Sequence, residues 1–134
     1  MNKDWTDISA PSLDDFARLA KSAFDALPQP FRQLAGEVVI RVADFADKEV
    51  LEDLGIEDPF ELTGIYSGVD LTKRSVLDPG GLGPAVFLYR RPLLDEWAEA
   101  GDITLGELVT HVLVHEIGHH FGLSDDAMHA AEER

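Results

Sequence analysis

The segment Thr104–Gly122, TLGELVTHVLVHEIGHHFG, constrains this 134-residue chain more than any other part of it. Thr104 followed by Glu107 forms the T-x-x-E capping box, whose hydroxyl and carboxylate satisfy the first orphan backbone N–H groups of a helix. Gly122 is a residue that enters the left-handed region cheaply and so closes a helix at about Phe121. Between these signals Leu105, Leu108, Val109, Val112, Leu113, Ile117 and Phe121 cover most of the helix circumference. A helix that is apolar nearly all round is a core element, so the rest of the chain must wrap around it. The face left over carries mainly His111, His115 and His119, and such a stripe lines a cleft. Gly118 adds a patch without a side chain where a neighbouring element can approach closely.

The remaining elements are small and mixed. Ser12 and Asp15 resemble a capping box, and apolar residues from Leu13 to Leu27 recur at helical spacing until Pro28 and Pro30 stop them. Glu37 to Phe45 (EVVIRVADF) is rich in β-branched residues and reads as a strand. Asp47 to Leu54 is a short helix closed by Gly55, whereas Pro59 to Asp78 supports only an irregular strand or loop. Asp78 to Pro84 (DPGGLGP) lacks the Lys-Ser/Thr of a phosphate loop and reads as a turn. Ala85 to Arg90 is the second strand, Pro92 opens a helix that Gly101 ends, and a last short helix is expected over about Asp126 to Glu133. The class is α+β, and residues 1–134 are expected to form a single domain.

Composition removes several alternatives. The chain has no cysteine, which excludes disulfides, thiolate zinc sites and thiol chemistry, so a bound metal must use His, Asp or Glu. With 11 Lys+Arg against 26 Asp+Glu the formal charge is -15, which repels nucleic acid and anionic membrane. The N-terminal MNKDWTDISAP has no apolar core, and no apolar run approaches a membrane span. A cytoplasmic location is the expectation.

The histidine stripe carries the chemistry. His115 and His119 lie four residues apart on one helical face and can turn imidazole nitrogens toward one ion. Zinc accepts neutral imidazole and prefers four ligands, so two helix positions leave room for a third protein ligand and a water. Glu116 is offset by ~100° from His115, which puts its carboxylate beside the ion as a proton acceptor. After Gly122 the chain can turn sharply, and Asp125, three residues on, can swing back to supply an oxygen. Asp125 has a second reading, as a cap of the last helix together with Ser124. His111 lies one turn before His115 and suits a cleft-lining role. His120 points ~100° away from His119 and suits packing or hydrogen bonding. His129 reads as surface. Tyr66, Tyr89 and Arg90 are candidates to stabilise an oxyanion.

The order H-E-x-x-H-x-x-G-x-x-D over His115–Asp125 resembles the zincin metallopeptidases with Asp as third ligand. HEIGHHFGLSDDAM, preceded by VFLYRRPLLDEW and TLGELVTHVLV, is similar to the small bacterial proteins called mini-zincins. The resemblance covers the second half of the chain well and the first half mainly in layout. It implies a minimal zincin-like fold, with a small mixed sheet packed on the buried active-site helix and flanking helices. It also implies Zn2+ bound by His115, His119 and Asp125, with Glu116 as general base in hydrolysis of a peptide or protein substrate. Only nine residues follow Asp125, and Met128 comes too soon for the Met-turn of larger metzincins, so efficient general proteolysis is not expected. The alternative is a non-catalytic metal-binding scaffold or adaptor, which would have no need of Glu116. In zincins an edge strand beside the active helix receives substrate. Here Ala85–Arg90, the strand closest in sequence to that helix, is expected to be that edge, above His115 and Glu116. The rival is a central strand paired on both sides, as its apolar content also allows.

Overall fold

The computed structural model describes residues 5–68 and 83–122. Helix α1 (Leu13–Asp25) starts at a complete capping box. The Asp15 N–H donates to Ser12 Oγ at 3.1 Å and the Ser12 N–H donates to Asp15 Oδ2 at 2.8 Å. Hydrogen bonding from Ser12, its backbone N–H first and its side-chain hydroxyl second, holds the Asp15 carboxyl below its ordinary range. Pro28 and Pro30 end α1, but Pro30 also sits in the first turn of an additional short helix, α2 (Gln29–Leu34), that was not expected from the sequence. A first-turn residue needs no N–H partner, so proline starts a helix as readily as it stops one.

Strand β1 (Val39–Ala43) is the middle of the predicted strand, and helix α3 (Lys48–Leu54) ends at Gly55 with φ 70°. A 3-10 turn at Pro59–Glu61 precedes strand β2 (Gly64–Ser67), so the weakly patterned stretch yields a short strand. Strand β3 (Ala85–Tyr89) runs directly into helix α4 (Arg90–Ala100), which carries Pro92 in its first turn and ends at Gly101 with φ 74°. The Trp97 indole N–H donates to the Ile103 carbonyl at 2.9 Å and pins the connection to helix α5 (Leu105–His120). The Glu107 N–H donates to Thr104 Oγ1 at 3.1 Å, as the capping pattern requires, and Gly122 follows α5 at φ 79°. Of the turn expected over Asp78–Pro84 only Gly83 and Pro84 lie in the described residues, and the expected helix over Asp126–Glu133 lies outside them.

The three strands form one mixed sheet in the order β1-β3-β2. β1 runs parallel to β3 from Val39↔Ala85 to Ala43↔Tyr89, and β2 runs antiparallel to it from Gly64↔Leu88 to Ser67↔Ala85. The expectation that Ala85–Arg90 forms the sheet edge is therefore overturned, because β3 is central and paired on both sides. Its residues explain this: Ala85, Val86, Leu88 and Tyr89 are all buried, and an apolar run without alternation belongs between two neighbours and two covered faces. On one face Val86 and Leu88 join Phe16 and Ala20 of α1 and Val109, Val112 and Leu113 of α5 in the main core. On the other, Tyr89 packs with Ala46 and Leu51 under α3, with Phe87 and Ile65 partly buried beside them. The architecture is the expected α+β arrangement of a small mixed sheet on a buried helix.

The edge strand beside α5 is β2, and glycine lets it come close. A Cβ at Gly64 would stand 2.9 Å from Val112 Cγ1 and 3.0 Å from the Phe87 carbonyl oxygen. Gly64→Ala is thus expected to cost about 1–3 kcal/mol, the range for overpacking a tight interface. Thermal denaturation should show a lowered Tm, and an unchanged Tm would mean that β2 does not press on α5.

Candidate metal centre

The geometry of α5 delivers two imidazoles and a carboxylate to one place. His115, Glu116 and His119 are all half-buried, and each offers a ligand atom within 4.8 Å of the others'. The two imidazole rings are 5.7 Å apart at 82°, edge to face, so neither stacks over the other's nitrogens. Two imidazole nitrogens with a carboxylate close beside them match the chemistry of a borderline divalent cation such as zinc. In a chain without cysteine this donor set can hold a divalent metal ion. Asp125, the expected third ligand, lies outside the described residues.

Glu116 is set apart from the imidazoles by what it touches. The Tyr66 backbone N–H donates to Glu116 Oε1 at 3.0 Å. The antiparallel ladder explains why that N–H is turned this way. The Tyr89 N–H donates to the Thr63 carbonyl at 2.9 Å, so bonded pairs fall at Thr63, Ile65 and Ser67 along this strand. Gly64 and Tyr66 consequently direct their backbone groups away from β3. Glu116 thus sits at the seam of α5 and β2, beside the two imidazoles, as the ~100° offset from His115 requires.

The other histidines divide as the helix geometry expects. His120 is buried, with its Nδ1 2.8 Å from the Tyr66 hydroxyl and its ring edge-on to Tyr66 and Phe121. His111 is exposed and lines a groove between α1 and α5 with Leu19, Ala23 and Val114, apart from the ligand cluster. His129 lies outside the described residues.

Of the three oxyanion candidates Tyr66 meets Glu116 through its backbone N–H, while its hydroxyl lies against His120 Nδ1. Tyr89 is buried under α3, where burial and the nearby Asp47 carboxylate push its phenol up to about 12. Arg90 is occupied with structure: its Nε donates to the Pro11 carbonyl at 2.6 Å, and its Nη1 meets Asp44 Oδ1 at 3.1 Å. Sequence reasoning missed Tyr66 as a backbone partner of Glu116, because a main-chain N–H leaves no mark on residue type. It also missed Glu37, whose Oε1 lies 3.6 Å from His120 Nε2.

The family model described as zincin-like metallopeptidase matches residues 35–134, from just before β1 through α5 to the last residue. No curated protein matches the chain. Among the described residues, no helix is long and apolar enough to cross a membrane.

A divalent ion bound only by the folded chain must stabilise it. At free zinc 100-fold above the dissociation constant the gain is about 2.7 kcal/mol, so zinc added to metal-free protein should raise Tm. A Tm indifferent to zinc and to chelator would show that the cluster holds no ion.

Proposed function

Because the chain belongs to the zincin-like metallopeptidase family, we propose that it hydrolyses peptide bonds with a zinc ion held by His115, His119 and Asp125 and with Glu116 as general base. The observation that carries this reading is the placement of Glu116. Its carboxylate lies within 4.8 Å of the two imidazole donors yet is tied to the edge strand by the Tyr66 N–H. A zinc ion there supplies Lewis acidity, polarising a scissile carbonyl and lowering the pKa of water. Glu116 accepts the proton of the attacking water on a carboxylate oxygen and returns it to the leaving amine. His115 and His119 hold the ion on a helix whose apolar sides are locked into the core. Gly122, at φ 79°, turns the chain at the end of α5 three residues before Asp125, which supports Asp125 as the third ligand.

The substrate is a peptide or protein segment in extended form. β2 replaces β3 as the receiving edge, since the Gly64 backbone groups and the Tyr66 carbonyl are directed away from β3 next to Glu116, which holds the Tyr66 N–H. A peptide added there gains main-chain hydrogen bonds for affinity and leaves alternate side chains to set specificity. The charge of -15 argues against nucleic acid and anionic membrane as partners, and the enzyme is proposed to work in the cytoplasm as a single domain over residues 1–134.

Elemental analysis should find one zinc per chain and near-complete loss in His115→Ala or His119→Ala. Asp125→Ala should weaken binding less, because water can replace one oxygen ligand. Stoichiometric zinc in either histidine variant would remove the basis of the proposal.

Glu116→Gln tests catalysis separately. It should keep zinc and Tm while lowering peptide cleavage by roughly 10²–10⁴-fold, because an amide cannot accept the proton. The measurement is mass spectrometry of a broad peptide library incubated with zinc-loaded protein. A zinc-loaded wild type that cleaves nothing would favour the non-catalytic scaffold.

A further inference from the structure

β2 is four residues long, and Gly64 at its first residue packs tightly on Val112 of α5, which leaves the rest of the strand to be held by another contact. Tyr66 supplies that hold at two points. Its backbone N–H donates to Glu116 Oε1 at 3.0 Å, and its hydroxyl lies 2.8 Å from His120 Nδ1. Glu116 and His120 are four residues apart, so one residue of the strand grips two neighbouring positions on one helical face. His120 follows His119 in sequence but is turned ~100° from it, toward the strand instead of the ligand cluster.

The buried imidazole has a polar group at each nitrogen. Tyr66 stands at hydrogen-bond distance from Nδ1, whereas Glu37 Oε1, from the residues just before β1, faces Nε2 at 3.6 Å, beyond direct hydrogen-bond reach. With the phenol donating to Nδ1, the ring proton belongs on Nε2, toward the Glu37 carboxylate, an assignment made from the network. Burying an imidazole only to fill volume is costly, and an apolar side chain would fill the same space without that cost. A carboxylate beyond the far nitrogen is the usual way of fixing a histidine's tautomer and orientation.

We infer that His120 and Tyr66 form a positioning chain that fixes the edge strand against α5, with the Glu37 carboxylate facing the far nitrogen of the imidazole, so that the Tyr66 N–H holds Glu116 beside His115 and His119. This rests on the proposed roles of Glu116 as base and of β2 as docking edge. His120 is accordingly a positioning residue that acts through Tyr66.

The test uses the zinc-loaded full chain and three variants. Tyr66→Phe removes one oxygen. His120→Leu keeps side-chain bulk but loses the acceptor, whereas His120→Asn keeps an acceptor near the position of Nδ1. Two readouts are taken: amide hydrogen exchange at position 66 by NMR, and the preference for a peptidyl hydroxamate over acetohydroxamate. The small hydroxamate reaches only the ion, and the peptidyl one also meets the edge strand.

Tyr66→Phe and His120→Leu should each speed exchange at position 66 by roughly fivefold, the worth of one net hydrogen bond, and reduce the peptidyl preference by a similar factor. Zinc content and the amides of Val86 and Leu88, which serve the β1–β3 ladder, should stay as in wild type. His120→Asn should restore both readouts toward wild type. Exchange unchanged in Tyr66→Phe would overturn the inference, as would a His120→Asn variant as impaired as His120→Leu. Should the His120 variants fail to fold, Tyr66→Phe decides alone. A wild type without peptidyl preference would count against the docking reading, and the exchange at position 66 would still decide the positioning chain.

Discussion

Gly64 lies so near Val112 that a Cβ on it would come within 2.9 Å of the valine Cγ1, and that close approach of β2 to α5 sets the geometry of the site. With the strand at this distance, the Tyr66 N–H reaches the Glu116 carboxylate and its hydroxyl reaches His120. A side chain between the two elements would push the strand outward and lengthen both bonds. Hydrogen bonds weaken steeply with distance and misalignment, so a small displacement would release the carboxylate. Packing and chemistry therefore share one interface.

The helix that carries the motif is held from the sides that do not serve it. Val109, Val112, Leu113 and Ile117 are buried among α1 and the sheet, and they fix the rotation of α5 about its axis. Rotation decides which residues face the cleft: His115 and His119 remain half-buried, whereas His120, one position further, is sealed in the core. A buried helix is expensive to turn, because turning it would expose apolar surface and bury imidazoles without partners. That rigidity suits a metal centre, whose ligands must keep their mutual geometry without the ion's help.

The helix starts and stops were legible because each rests on a local device. Ser12 with Asp15, Thr104 with Glu107, and the left-handed glycines at positions 55 and 101 all act within a few residues of themselves. The short helix after Pro28 was not legible, since proline carries the same local meaning at an end and in a first turn. The order of the strands was misread for a different reason. Nearness in sequence to α5 suggested that Ala85–Arg90 would be the receiving edge, but strand order is fixed by which faces must be covered. The apolar run of β3 demanded neighbours on both sides, and the shorter, glycine-led β2 took the edge.

By itself, the sequence determined the helix that carries the His-Glu-x-x-His motif, the spacing that turns His115 and His119 to one side with Glu116 offset beside them, and the exclusion of thiolate chemistry. Those features follow from helical periodicity and side-chain chemistry, both properties of the local chain. Only the tertiary structure decided which strand faces the site, that a backbone N–H holds Glu116, and that Glu37 approaches His120 from far away in sequence. Main-chain groups are the same at every residue, and contacts across the fold depend on how the sheet and helices cover one another's apolar faces. That is a property of the assembled core rather than of any stretch within it.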